Sequence, residues 1–191
     1  MAQSNLLLGI YNCKNGAALT GDSAKVIPTK DSFLPSSARS RVPELAPLID
    51  LIGMRWSASR TSSGAIARDG GGQSTNNVSP GPLEIFKQLD AATPKLASAL
   101  RYGDPLEVYL MFLKAGTGVI GRETSDLPYY GYILRDALIS SQDIYAKPEE
   151  LHAEERVIIS YTKIDIWYTP QRNDGQPSGQ LGTQMEFHSP K

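Results

Sequence analysis

Four stretches of this chain carry residue types at spacings that chemistry uses. Gly116-Thr117-Gly118-Val119-Ile120-Gly121 has the G-x-G-x-x-G spacing of dinucleotide-binding loops and follows a strand pattern. Such a loop works because a helix starts at its end and aims free N–H groups at a pyrophosphate. Here Pro128 would cut that helix short, and alternation resumes beyond it, so the glycines read as a flexible hairpin connection. Ser160-Tyr161-Thr162-Lys163 has the S-x-x-K spacing of a serine nucleophile and its lysine, which requires the serine at a helix start. In a strand, residues three apart point to opposite faces, so the pair cannot cooperate. Cys13 with His152 or His188 has the parts of a thiol–imidazole pair, but nothing beside Cys13 would activate the thiol, and the bland reading is a small hydrophobe. His152-Ala153-Glu154 lacks the C-x-x-C that a zinc deaminase needs.

Glu149-Glu150 and Glu154-Glu155 lack the spaced oxygen ligands and central glycine of a calcium loop, and read as a solvated connection. One cysteine and two histidines offer no zinc shell. We therefore assign no catalytic, cofactor or metal residues. Arg39, Arg41, Arg55, Arg60 and Arg68 are spread over loops and a strand without interleaved aromatics, and the net charge is −1, so no nucleic-acid partner is expected. The lone cysteine excludes an intramolecular disulfide and fits a reducing compartment. No apolar run approaches the length of a membrane helix, so no stable membrane insertion is expected. Leu6–Ile10 lacks the charged flank and length of a signal peptide.

At 191 residues, with 40% apolar and 20% charged content, the chain reads as one domain, 1–191, with a real core. Leu6–Tyr11 reads as a first strand. Residues 12–47 contain Pro28, Pro35, Pro43 and Pro47 and read as an extended loop with a short strand near Lys25–Pro28. Leu48–Ser59 reads as a second main strand. The polar segment 60–77, with Gly70-Gly71-Gly72 at its centre, is long for a compact domain and therefore functional or disordered. Leu83–Leu89 leads into a helix over Thr93–Tyr102, with Thr93 as N-cap, Pro94 at the first helical position and Gly103 as left-handed stop.

Leu106–Lys114 alternates, with Leu106, Val108, Leu110 and Phe112 on one face and Tyr109, Met111 and Leu113 on the other. That second face is too apolar for solvent. It fits either a subunit interface or a sheet buried on both sides by its own chain. Tyr130–Ile144 reads as the next strand, then Val157–Tyr168, whose apolar phase switches midway like a bulged strand, then Gln184–His188. The expected fold is mainly β: a small β-barrel of two antiparallel sheets with one short α-helix on its side and long loops.

The run Ile85-Phe86-Lys87-Gln88-Leu89-Asp90-Ala91-Ala92-Thr93-Pro94-Lys95-Leu96, continuing to Gly121, resembles the Hcp (haemolysin-coregulated protein) family of type VI secretion tube proteins. Leu134–Ser141 and Glu155–Gln171 extend the resemblance in the same order, and more loosely it spans Leu6–Tyr11 and Leu48–Phe187. The resemblance implies hexameric rings that stack into an exported tube inside a contractile sheath, with baseplate and spike proteins and effector cargo as partners. It implies synthesis in the bacterial cytoplasm and secretion without a cleaved signal peptide. Rings need a heterologous interface, for which Tyr109, Met111 and Leu113 are candidates. Segment 60–77 resembles the extended inter-ring loop, making Arg68, Asp69, Gly70, Gly71 and Gly72 stacking candidates. Residues 12–47 depart from the family in length and proline content, and could add a second layer to the tube wall. The alternatives are a tail-tube protein of a contractile phage or extracellular injection particle, a small enzyme or nucleotide binder using Gly116–Gly121 or Cys13, and a monomeric ligand-binding barrel.

Overall fold

The structure, a computed structural model, describes residues 5–25, 27, 33–60, 78–114, 126–146, 152–172 and 177–187. Strands β1 (Leu6–Asn12) and β2 (Ala17–Ala18) are followed by helix α1 (Ser36–Arg39) and a 3-10 turn (Val42–Leu45). Then come β3 (Ile49–Asp50), β4 (Gly53–Arg55), β5 (Ala58–Arg60), β6 (Val78–Pro80) and β7 (Leu83–Gln88). Helix α2 (Thr93–Tyr102) precedes β8 (Leu106–Lys114), β9 (Leu127–Tyr145), β10 (Glu154–Ser160), β11 (Lys163–Tyr168) and β12 (Leu181–Glu186).

The main sheet is antiparallel in the order β2–β1–β8–β9–β10–β7–β4, with β11 and β12 added beside β9, and β3 on β1. Strand β9, 19 residues long, serves two partners along one edge. Its C-terminal half pairs β10, with Leu138 opposite Ser160, and its N-terminal half pairs β11, with Arg135 opposite Lys163. The reading of one strand over Val157–Tyr168 therefore gives way to two, broken at Tyr161–Thr162 opposite the left-handed Asp136 (φ 51°). The phase switch is real. Val157, Ile159 and Tyr161 before the break and Ile164 after it all face the same core.

Leu48–Ser59 is not one strand either. Leu51 N–H donates to Leu6 O (3.0 Å), whereas the next amide, of Ile52, donates to Phe86 O (2.8 Å). The segment changes edges, so β3 pairs β1 and β4 pairs β7. The curl of the sheet is stitched by these short strands. Among the described residues no closed barrel forms, although the mainly β fold with α2 on its side stands as expected.

Two cores result. Leu106, Val108 and Leu110 of β8 join Leu8, Ile10, Leu134, Ile159 and the helix residues Leu96 and Ala99 inside the curl. The opposite face of the same strands carries Leu7, Tyr109, Met111, Ile133 and Trp167, covered by Leu34, Ala38, Val42, Leu45 and Leu48. Residues 12–47 are thus not simply a loop. Their described part holds α1 and the 3-10 turn and forms a lid over the sheet, while Lys25 and Ile27 are outside any strand and Val26 and Pro28 lie outside the described residues.

Helix α2 ends as expected on Gly103, whose φ of 60° suits a residue without Cβ and whose N–H donates to the last turn. Its start differs. Thr93 is the first helical residue, after Ala92, and its side chain makes no N-cap bond.

Candidate functional site

What Thr93 does instead explains how α2 is seated. Lys87 lies in phase with Leu83 and Ile85 on β7, and Glu155 lies in phase with Val157 and Ile159 on β10, so both point into the core. They are direct cross-strand partners and both are buried. Lys87 Nζ reaches Glu155 Oε1 (2.5 Å), Asp90 Oδ1 (2.8 Å), Gln88 O (2.8 Å) and Thr93 Oγ1 (3.2 Å). The Thr93 hydroxyl donates to Glu155 Oε1 (3.1 Å), and Gln142 Nε2 donates to Glu155 Oε2 (2.9 Å) and Thr93 O (3.1 Å). Asp90 Oδ1 meanwhile accepts from Ala92 N (2.8 Å). Every charge here has partners, which is the condition for burying charge at all. The network is a socket joining the first turn of α2 to two strands. Its signal in the sequence was one cation and one anion, each in the apolar phase of its strand. Glu155 is thereby a buried strand residue, not part of a solvated turn as expected.

At the other end of β7 stands the root of segment 60–77. Strands β5 and β6 pair only with each other among the described residues, with Ser59 opposite Ser79. Gly81 N–H donates to Ser57 O (2.7 Å) and closes the stem. A Cβ on Gly81 would meet Ser57 Oγ at 2.5 Å and Ser57 O at 3.0 Å, so any larger residue here must push Ser57 aside. Tyr161, at the β10–β11 break, donates its hydroxyl to Gly81 O (3.1 Å) and accepts from Trp56 Nε1 (2.6 Å). Burial raises the Tyr161 pKa against the lowering effect of the Trp56 bond, keeping a phenol that can donate. Trp56 leans on Tyr132 (5.4 Å between centroids), which belongs to an aromatic group with Tyr130 and Phe112.

The sequence-derived candidates distribute unevenly over this frame. Arg68, Asp69, Gly70, Gly71 and Gly72 lie outside the described residues, as do Gly116–Gly121, Glu149, Glu150 and His188. Tyr109, Met111 and Leu113 are 4%, 1% and 4% exposed, beneath the 34–48 lid. Their apolarity is used by the chain's own cover, so these side chains are not available to a neighbouring subunit, and the second of the two readings of that face is the one observed. Ser160 and Lys163 sit on either side of the strand break. Ser160 Oγ meets Ser140 Oγ (2.5 Å), whereas Lys163 Nζ lies near Glu186 (3.4 Å) and Asp136 (3.7 Å). Cys13 is exposed, and desolvation, then the nearby Glu107 carboxylate, raises its pKa, the opposite of activation. Among the described residues no group of His, Cys, Asp and Glu is arranged to hold a metal ion, and no helix is long and apolar enough to cross a membrane.

The arrangement defines a class: a curled antiparallel sheet with one seated helix and a separate two-stranded stem. The family model described as "Type VI secretion system effector, Hcp" matches residues 40–168, and the chain belongs to that family. Solved structures agree in fold over nearly the full length. Hcp1 of the E. coli EAEC 042 pathovar, as a double mutant, superposes with a TM-score of 0.63 at 14% identity, covering 96% of this chain and 99% of its own. Hcp1 from Salmonella typhimurium gives 0.61 at 16% identity (96% and 95% covered). A secreted protein, Hcp3 from Pseudomonas aeruginosa, gives 0.59 at 18% identity (96% and 99% covered). No curated protein matches by sequence. Membership makes this a structural secretion protein, not an enzyme, from a family whose proteins are secreted through the type VI system.

Proposed function

We propose that the chain is the repeating subunit of a type VI secretion tube, closing into hexameric rings that stack and are exported with effectors in the lumen. The family match over residues 40–168 carries this reading. Supporting it are a fold that superposes on Hcp structures over nearly the full chain and a stem whose strands pair only with each other among the described residues. Segment 61–77, between β5 and β6, is the proposed ring-stacking element, with Arg68, Asp69 and Gly70–Gly72 at its centre. Contractile sheath and baseplate or spike proteins are the expected partners, and synthesis in the bacterial cytoplasm precedes export without a cleaved signal peptide. The mass of purified protein by light scattering, with negative-stain images of the same sample, tests the first part. Six-membered rings around a central hole are expected, and a monomer at high concentration overturns the reading. Deleting Gly70–Gly72 tests the second. Rings are expected to persist while tubes shorten or vanish, and normal tubes overturn that assignment.

A further inference from the structure

We infer that Trp56 and Tyr161 are positioning residues for ring stacking, acting as a clamp that fixes the β5–β6 stem to the main sheet. The inference rests on the reading of segment 61–77 as the stacking element. Three observations carry it. The stem makes no ladder with the main sheet among the described residues, so strand pairing does not orient it. Its two ends are pinned together by Gly81 N–H to Ser57 O, at a close approach where an added Cβ would press on Ser57. The pinned end is then tied across the fold, because the Tyr161 hydroxyl accepts from Trp56 at one root of the stem and donates to Gly81 at the other. One hydroxyl therefore bonds both roots, from a residue 9% exposed that sits where β10 and β11 part. A segment that must meet a neighbouring ring gains from such a mount, since a free hinge would spend binding energy on being ordered.

Tyr161→Phe removes the hydroxyl and keeps the ring, and Trp56→Phe removes the indole donor. Both are expected to form rings of normal mass. The ring concentration at which tubes appear is expected to rise about fivefold for Trp56→Phe, the change that losing one ordinary hydrogen bond makes to an equilibrium, and by at least as much for Tyr161→Phe, which loses two. The double variant should be no worse than the worse single one, because both break one chain of bonds. Tyr132→Phe is the control, since its hydroxyl accepts from Tyr130 and the ring that meets Trp56 is kept, so its tubes should match wild type. Wild-type tube formation by both clamp variants, with tubes lost on deleting Gly70–Gly72, overturns the clamp and leaves the stacking segment standing. Normal tubes in the deletion overturn the stacking segment itself. A Tyr132→Phe defect equal to that of Tyr161→Phe, or loss of rings in both clamp variants, assigns these residues to the fold alone and overturns the inference.

Discussion

The two ends of β7 are held by opposite kinds of chemistry. At its C-terminal end α2 is seated through a buried ion pair with a closed set of hydrogen bonds. At its N-terminal end the stem is tied by neutral bonds from an indole and a phenol. A buried pair with all partners present is directional and does not tolerate the loss of one member, whereas a neutral bond at a partly buried edge contributes modestly. The first arrangement suits an element that the fold requires. The second suits an element whose loss leaves the fold intact, which is what an assembly contact calls for.

The largest effect expected is at the socket. Lys87→Met leaves Glu155 buried without its cation and should lower unfolding free energy by about 4 kcal/mol in urea titrations. Adding Glu155→Leu should recover most of that loss, because an apolar pair of similar volume needs no solvation. A single variant as stable as wild type would show that the pair is not what seats α2.

Next is the lid. Leu45 is 1% exposed against the outer face of the sheet, so Leu45→Ala should cost about 3 kcal/mol through lost transfer and a residual cavity. Met111→Ala should behave likewise, lowering stability while ring mass holds under folding conditions. A Met111→Ala protein of normal stability that no longer forms rings would restore that face to the interface.

These cases show what was legible in the sequence. The alternation of Leu106–Lys114 showed two apolar faces, but alternation is blind to what covers a face, and a proline-rich segment without periodicity gave no sign of being the cover. The helix was legible from Pro94, its apolar stripe and Gly103, all local signals. The true role of Thr93 was not, because it depends on Lys87 and Glu155 meeting across a sheet register. The edge switch at Leu51–Ile52 was hidden for the same reason, since ladder partners far apart in sequence decide where a strand breaks. The resemblance to the Hcp family lay in ordered local segments, most of which fall within the residues 40–168 that the family model matches.

A smaller effect sharpens the contrast between the two ends. Tyr161→Phe should cost about 1 kcal/mol of stability, well below Lys87→Met, because only neutral bonds are lost and the ring still packs. Equal losses at the two positions would mean that the stem is as integral to the fold as α2, and would remove the distinction drawn between them.

The smallest effect is expected where α2 leaves its C-terminal cap. Asp104 accepts from Lys14 Nζ (2.8 Å) and Asn12 Nδ2 (2.9 Å), while its own N–H donates to Ala99 O (3.1 Å). The Lys14 bond first, then the Asn12 bond, hold its carboxyl below the usual range, outweighing desolvation. In the unfolded chain the same carboxyl titrates near about 3.9, so on acidification the unfolded state takes up the proton first. The stabilisation is therefore complete above about pH 5 and is lost as the pH falls through the unfolded value and on through the lowered folded one. Urea midpoints measured down to about pH 3 should fall more steeply for wild type than for Asp104→Asn, whose amide cannot titrate. The two curves should run parallel at neutral pH, offset by the lost charge-assisted bond. Identical acid limbs would mean that neither Lys14, 60% exposed, nor the Asn12 amide favours the charged Asp104 carboxylate in solution, leaving the backbone bond to Ala99 O to secure this end of the helix.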